Sequence, residues 1–202
     1  MHRIYLLCCG MLLFTIPARG QETKLDYQVP APKGWGKETI ALPPAFAKDM
    51  TWKGVEELRF APGMFMAESD TFFSYCMLFW LPEDAKVDQK TVEQELLAYY
   101  RGLARAVSKK KDLDVGAFSI NLKESTDRKG KRPTGEPYAA FTGEIKWVEP
   151  FVTGKLQILR LDLQVWYCEK HKHHCLFLCV SPQPDDAAVW KTLREIRDGC
   201  KF

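Results

Sequence analysis

The chain has 202 residues, of which 46% are hydrophobic and 27% are charged, and its formal net charge at pH 7 is +3. This length suits one domain with a sizeable hydrophobic core. A charge so close to neutral argues against nucleic acid or an anionic membrane surface as the main partner.

The first twenty residues predict an export signal. Arg3 gives a positive start, residues 4–16 form an apolar run, and Ala18-Arg19-Gly20 places small residues where signal peptidase reads them. The run is shorter than the ~20 residues that a helix needs to span a bilayer. We therefore expect a mature chain that begins at Gln21 and is periplasmic or extracellular. Its net charge falls from +3 to +1 because Arg3 and Arg19 are removed.

The mature chain starts with a segment that lacks periodicity and continues with three candidate strands. Residues 21–37 mix proline, glycine and charge, and predict a loose leader before a single domain over residues 38–202. Residues 39–42 precede two prolines and favour a short edge strand, and residues 54–60 favour a second strand. Residues 71–81 are apolar at both parities, which is typical of a central strand covered on two faces. No later stretch approaches transmembrane length.

Two amphipathic helices are predicted. The first covers residues 88–109, with Asp88 as its N-cap. Its apolar stripe consists of Val92, Leu96, Tyr99 or Tyr100, Leu103 and Val107. The second begins after Pro184, and its stripe consists of Val189, Leu193 and Ile196, with Trp190 beside it.

Between the helices, residues 115–123 alternate as a strand, and two further strands can be registered against each other. Their apolar positions coincide when Ile145 faces Leu159. The same register opposes Glu144 and Arg160 on the reverse face, where the opposite charges form a cross-strand pair.

A last strand over residues 175–181 extends this pair into a meander when Val165 faces Leu178. Both registers place the apolar residues of the three strands on the same face of the sheet. We therefore predict the α+β class, with an antiparallel sheet of about six strands, a C-terminal three-strand meander and two main helices packed on the sheet.

Two resemblances accompany this pattern. The element order and the ending, a strand followed by SPQP, an amphipathic helix and Phe202, resemble the α/β/α sandwich of the PsbP family of lumenal accessory proteins. The segment from Trp35 to Phe79 resembles an uncharacterised family of exported bacterial proteins, in the stretches LPP (42–44), VEELRFAPGMF (55–65) and FFSY (72–75). The first resemblance implies the layer order and the second implies export. Neither implies an activity.

The chemically dense stretch of the chain is a group of histidines and cysteines before and within the last strand. Its candidate metal ligands are Cys168, His171, His173, His174 and Cys175. Imidazole and thiolate bind zinc and copper, but an exported domain favours disulfides over thiolate metal sites. Two interpretations stay open: a metal site, or a charged hairpin tip with a disulfide nearby.

The cysteines give a geometric prediction. The register that pairs Val165 with Leu178 also opposes Cys168 and Cys175, and opposed strand positions can come within disulfide range. The final helix returns Cys200 to the same edge of the sheet. We predict a disulfide within the set Cys168, Cys175 and Cys200.

Two groups of residues are candidates for ligand or partner binding. The predicted register aligns Tyr138, Trp166 and Phe177 in one row beside Arg160, which would form an aromatic platform flanked by charge. The alternative is that a helix covers these aromatic rings.

Trp147 and Phe151 form the second group. They flank Pro150 at a hairpin loop, where they are either displayed for a partner or folded back over the sheet edge.

No catalytic residue is assigned, because no nucleophile elbow, zinc-protease helix or phosphate-binding glycine loop occurs. We expect an exported accessory or binding protein that is not an enzyme and needs no cofactor. Its partner, a protein or a small periplasmic ligand, is unknown. The alternatives are a periplasmic metal-binding protein that uses residues 168–179, and an enzyme of unrecognised type.

Overall fold

The computed structural model describes residues 27–110, 112–126 and 137–202. The predicted signal peptide, its cleavage site and residues 21–26 of the predicted leader lie outside them. The elements within the described ranges are β1 (Gly36–Leu42), β2 (Gly54–Phe60), β3 (Tyr75–Pro82), α1 (Gln89–Val107), β4 (Ser119–Glu124), β5 (Ala139–Val148), β6 (Leu156–Cys168), β7 (His173–Ser181) and α2 (Ala188–Asp198).

The strands form one antiparallel sheet in the order β1-β2-β3-β7-β6-β5-β4. The predicted α+β class is confirmed, with seven strands where about six were expected. The short edge strand predicted at residues 39–42 is a full strand of seven residues, which pairs along its whole length with β2. β3 is buried on both faces, as its sequence predicted.

Element boundaries differ from the predictions where local hydrogen bonds compete with the strand. The predicted strand at residues 115–123 begins only at Ser119, because Val115–Ala117 form a 3-10 turn. The Asp114 side chain accepts a hydrogen bond from the backbone N–H of Gly116 and holds this turn. Asp88 caps α1 as expected and accepts from the backbone N–H of Thr91.

One predicted register is confirmed and the other is shifted. Ile145 faces Leu159 and Glu144 faces Arg160, as expected. In the β6–β7 hairpin, however, Val165 faces Leu176 instead of Leu178. A two-residue slip keeps every side chain on its own face, so both registers bury the same residues and the apolar pattern cannot separate them.

The helices lie on opposite faces of the sheet, the layer order implied by the PsbP resemblance. Alternate residues of the strands enter two cores. The α1-side core includes Leu58, Met77, Phe79, Leu159, Leu163 and the buried stripe of α1. The α2-side core includes Cys76, Leu78, Trp80, Trp166, Phe177 and the buried stripe of α2.

The first described residues are attached to the α2 side. The Tyr27 ring packs against Trp80 with 4.8 Å between ring centroids. The backbone groups of Gln28 and Lys201 exchange two hydrogen bonds, of 2.8 and 3.0 Å. No helix in the described ranges is both long and apolar enough to cross a bilayer.

Candidate functional site

The α2 side of the sheet contains a polar groove. α2 packs against β3 and β7 and leaves the corresponding faces of β4, β5 and β6 open over much of their length. The groove encloses about 540 Å³. Its floor includes Lys123, Thr142, Glu144, Arg160 and Asp162, and its wall includes Arg194 and Arg197 of α2.

Strand alternation explains why this floor is polar. Along β6, Leu159, Leu161 and Leu163 enter the α1-side core, so Arg160 and Asp162 point to the opposite face. Within the sheet, the pairing with β5 places polar residues of both strands side by side in the groove.

Asp162 fixes the wall of the groove. It accepts a hydrogen bond of 2.8 Å from Arg194 Nε and one of 3.0 Å from Arg197 Nη1. The side chain of Arg197 is only 2% exposed, and its Nε also donates to Asp198 at 3.2 Å. A buried guanidinium is tolerated only when such partners compensate its desolvation, so Arg197 is held in place. The Arg194 side chain is 41% exposed and is held by its contact with Asp162.

The other charged residues of the groove have fewer side-chain partners. Arg160 Nη1 donates to the Pro182 carbonyl oxygen at 2.8 Å, and its Nε lies 3.7 Å from a carboxylate oxygen of Asp185. Glu144 directly opposes Arg160, yet within the described ranges neither Glu144 nor Lys123 makes a side-chain hydrogen bond or an ion pair. Among the described residues, Glu144 and Lys123 are therefore the charges of the groove without a side-chain partner.

The predicted aromatic row does not form. In the observed register Trp166 faces Cys175 and Phe177 faces Gln164. Trp166 and Phe177 are buried in the α2-side core together with the stripe of α2, which agrees with the alternative of covered rings. Tyr138 is 45% exposed, and its hydroxyl is hydrogen-bonded to Nδ1 of His174 at 2.9 Å.

The two aromatic residues of the β5–β6 loop separate. Trp147 is fully buried and packs against Phe73, Tyr100 and Phe118, so it is not displayed. Phe151 is 37% exposed, and its ring centroid lies 5.6 Å from that of the exposed Phe65.

The Cys/His stretch does not converge on one point. The His173 ring stacks on Trp80 on the α2 side, with 4.9 Å between ring centroids. His174 points to the other face, where its Nε2 is hydrogen-bonded to the carbonyl oxygen of Glu83 at 3.1 Å. In the described part of the chain, no group of three or more His, Cys, Asp or Glu side chains is placed to hold a metal ion.

The predicted disulfide is absent. Cys168 faces His173 and Cys175 faces Trp166, because the β6–β7 register differs by two residues from the predicted one. Cys168, Cys175 and Cys200 are all free and buried, as are Cys76 and Cys179.

The wall residues Arg194 and Arg197 were not among the residues singled out from the sequence. Their spacing of three on a helix places them on one side of α2, which is a weak signal that many solvated helix faces share. Their common partner Asp162 lies on a strand more than thirty residues earlier, and only tertiary packing reveals it.

Comparison with known proteins identifies no family. No family model and no curated protein matches the chain. A solved structure of LpqN, a protein involved in cell envelope biogenesis of Mycobacterium tuberculosis, aligns with a TM-score of 0.32 and 12% identity. The alignment covers 87% of this chain and 82% of the other.

Proposed function

We propose that this chain is an exported accessory protein that binds a small polar ligand in the polar groove and does not catalyse a reaction on it. Export is supported by the export signal that the sequence predicts in residues 1–20. The binding role is supported by the groove, which combines charged residues that are paired with one another and charged residues that have no side-chain partner within the described ranges.

The observation that carries the proposal is the contrast between these two sets of charges. Asp162 is paired with the buried Arg197 and with the partly exposed Arg194 of α2, which reduces the cost of ordering a binding surface. Lys123 and Glu144 are exposed beside them and make no side-chain hydrogen bond or ion pair within the described ranges. A pre-formed wall next to unpaired charges is suited to orienting a ligand.

The charges of Lys123 and Glu144 indicate the chemistry of the ligand. They have opposite sign and lie on neighbouring strands, since Lys123 faces Thr142 and Glu144 is two residues further along β5. A molecule that carries a carboxylate and an ammonium group can pair with both at once. We therefore assign the groove to a zwitterionic ligand of the free amino acid class.

Thermal unfolding with a panel of free amino acids tests this assignment. We expect at least one of them to raise the Tm of the purified protein. Glu144→Gln and Lys123→Gln should each weaken that ligand about tenfold, because each leaves one ligand charge unpaired.

Glu169→Gln and Lys172→Gln serve as matched controls, since these exposed residues of the β6–β7 hairpin lie outside the groove. The controls should respond to the amino acid as the wild type does. A panel in which no compound raises the Tm would refute the assignment, as would an equal loss of response in the control variants.

Export has a separate test. Amino-terminal sequencing of the protein from its native host should show a chain that begins at Gln21, because Ala18-Arg19-Gly20 follows a complete apolar run. A protein that retains Met1 would contradict export by cleavage.

A further inference from the structure

A second cavity lies on the α2 side of the sheet, between the N-terminal segment and β2. It encloses about 580 Å³, and its lining includes Tyr27, Pro30, Glu57, Arg59 and Lys201. Strand alternation directs residues 57 and 59 toward this cavity, because their neighbour Leu58 enters the α1-side core. None of these residues belongs to the polar groove.

Arg59 is a buried cation with unused donors. It is 7% exposed, and its Nη1 donates to Glu57 at 2.9 Å and to the Leu58 carbonyl oxygen at 2.7 Å. Its Nη2 donates to the Val29 carbonyl oxygen at 2.9 Å. Its Nε is buried and has no hydrogen-bond partner among the described residues.

Tyr27, which also lines this cavity, carries a second unused donor. Its side chain is 6% exposed, and its hydroxyl has no hydrogen-bond partner among the described residues. Burial, reinforced by the nearby carboxylate of Glu57, raises the pKa of this hydroxyl, so it keeps its proton and remains a donor.

These unused groups define the missing partner. Buried donors in native proteins are almost always satisfied, so two of them on residues that line one cavity call for an acceptor beside them. Glu57 balances the charge of Arg59, and Lys201 adds an exposed positive charge at the rim, which leaves the lining with a net charge of +1. The acceptor that fits this balance is an anion.

We propose that this cavity binds the oxyanion group, carboxylate or phosphate, of a small ligand. Arg59 Nε and the Tyr27 hydroxyl donate to its oxygens, and Lys201 supplies the charge at the rim. Both donors are shielded from bulk solvent, so the ligand oxygen reaches them after the segment around Gln28 shifts away from Lys201.

Nitrogen-15 NMR of the Arg59 Nε–H group tests the proposal directly, with inorganic phosphate and sodium acetate as separate probes and sodium chloride as the ionic-strength control. We expect a saturable shift of this signal with at least one probe and none with chloride. A shift with phosphate alone would identify a tetrahedral oxyanion as the ligand group, and a shift with acetate alone would identify a carboxylate. A response to neither, or the same response to chloride, would overturn the proposal.

Single substitutions locate the site without removing Arg59. Tyr27→Phe deletes one hydroxyl and Lys201→Gln deletes the rim charge, and each should weaken the probe about fivefold or more. Tyr167→Phe and Lys53→Gln, which remove a hydroxyl and a charge outside the cavity, should leave binding unchanged.

An equal effect of the control variants would contradict the assignment. A water molecule that stays on the Nε–H group at saturating probe would do the same, because it would show that solvent satisfies the donor. The amino acid response of the polar groove should persist in Tyr27→Phe and Lys201→Gln, so the two sites can fail independently.

Discussion

Glu56 lies wholly inside the α1-side core, on the opposite face of β2 from Arg59. Its side chain is 0% exposed, and neither carboxyl oxygen accepts a hydrogen bond of normal geometry from a described residue. Burial raises its pKa to about 8; the Tyr99 hydroxyl offsets part of the rise and the Glu38 carboxylate adds to it. The folded protein therefore favours the protonated acid.

This raised pKa makes stability depend on pH. The protonated form is favoured in the folded state, so the contribution of Glu56 is fully present below its unfolded pKa of about 4.5 and is lost as the pH rises through about 8. Across that window the free energy of unfolding should fall by up to about 1.4 kcal/mol per pH unit. Glu56→Gln removes the titrating group and should flatten the profile.

Urea unfolding at a series of pH values measures both profiles. Glu169→Gln is the control, because this exposed residue should leave the wild-type dependence intact. Parallel profiles for the wild type and Glu56→Gln would show that another group dominates the titration.

The two faces of the β5–β6 pair give a second prediction. Leu163 is fully buried in the α1-side core, and Leu163→Ala should destabilise the protein by about 2–5 kcal/mol through lost contacts and a cavity. Glu144→Ala should cost less than ~1 kcal/mol, since Glu144 is exposed and makes no ion pair within the described ranges. Chemical unfolding of both variants compares them, and equal small effects would mean that the burial of β6 is misassigned.

At the scale of elements, α1 approaches the segment after β1 too closely for a side chain at Gly102. A β-carbon there would lie 2.3 Å from the Phe46 carbonyl oxygen and 2.8 Å from the Ala47 α-carbon. The neighbouring ring of Tyr99 packs edge-on against Phe46, at 5.1 Å between centroids. Glycine is therefore a packing requirement in the middle of a helix that otherwise disfavours it.

Gly102→Ala tests which effect prevails. Alanine improves helix propensity by up to ~1 kcal/mol, but the clash is with backbone atoms that cannot move aside locally. We expect a net loss of about 1–3 kcal/mol in the free energy of unfolding, as for other overpacked sites. Ala106→Gly at an exposed position of the same helix measures the propensity term alone. A Gly102→Ala variant more stable than the wild type would contradict the close contact.

α2 is the element that organises its face of the sheet. By packing on β3 and β7, it separates the polar groove from the cavity beside β2. Trp166 and Phe177 lie in the core that this helix helps to form, so these aromatic rings, which the sequence suggested for binding, are not at the surface.

At the scale of the whole molecule, the described cysteines gather in one layer. Cys76, Cys168, Cys175, Cys179 and Cys200 all belong to the α2-side core. Burial raises the pKa of Cys200 to about 12 and likewise raises the pKa values of Cys76, Cys175 and Cys179. The raised pKa keeps these four thiols protonated, and burial shields all five side chains, so we expect them to be unreactive in the folded protein.

Alkylation with iodoacetamide checks this layer. The folded protein should resist labelling, and the protein unfolded without reductant should take up a label on each of the five cysteines. A parallel sample unfolded with reductant gives the reference count. A lower count without reductant would reveal a disulfide and restore the prediction made from the sequence.

Local patterns in the sequence predicted much of the fold. The alternation of apolar and polar residues in 139–148 and in the following strand was enough to register Ile145 with Leu159. The apolar residues of both strands had to lie on the same face of the sheet. The predicted stripe that starts at Val92 and the Asp88 cap likewise placed α1, although Leu103 and Val107 at the end of that stripe are only partly buried.

The strand register at β6–β7 and the contacts between elements cannot be read from the periodicity of the sequence. The β6–β7 register could slip by two residues at no cost to the pattern, and that slip separated Cys168 from Cys175. Asp162 meets Arg194 and Arg197 only because α2 crosses the sheet at that place. Sequence alone determined which faces are apolar, since burial follows local chemistry; the tertiary structure decided which polar groups meet, since that depends on how the elements pack.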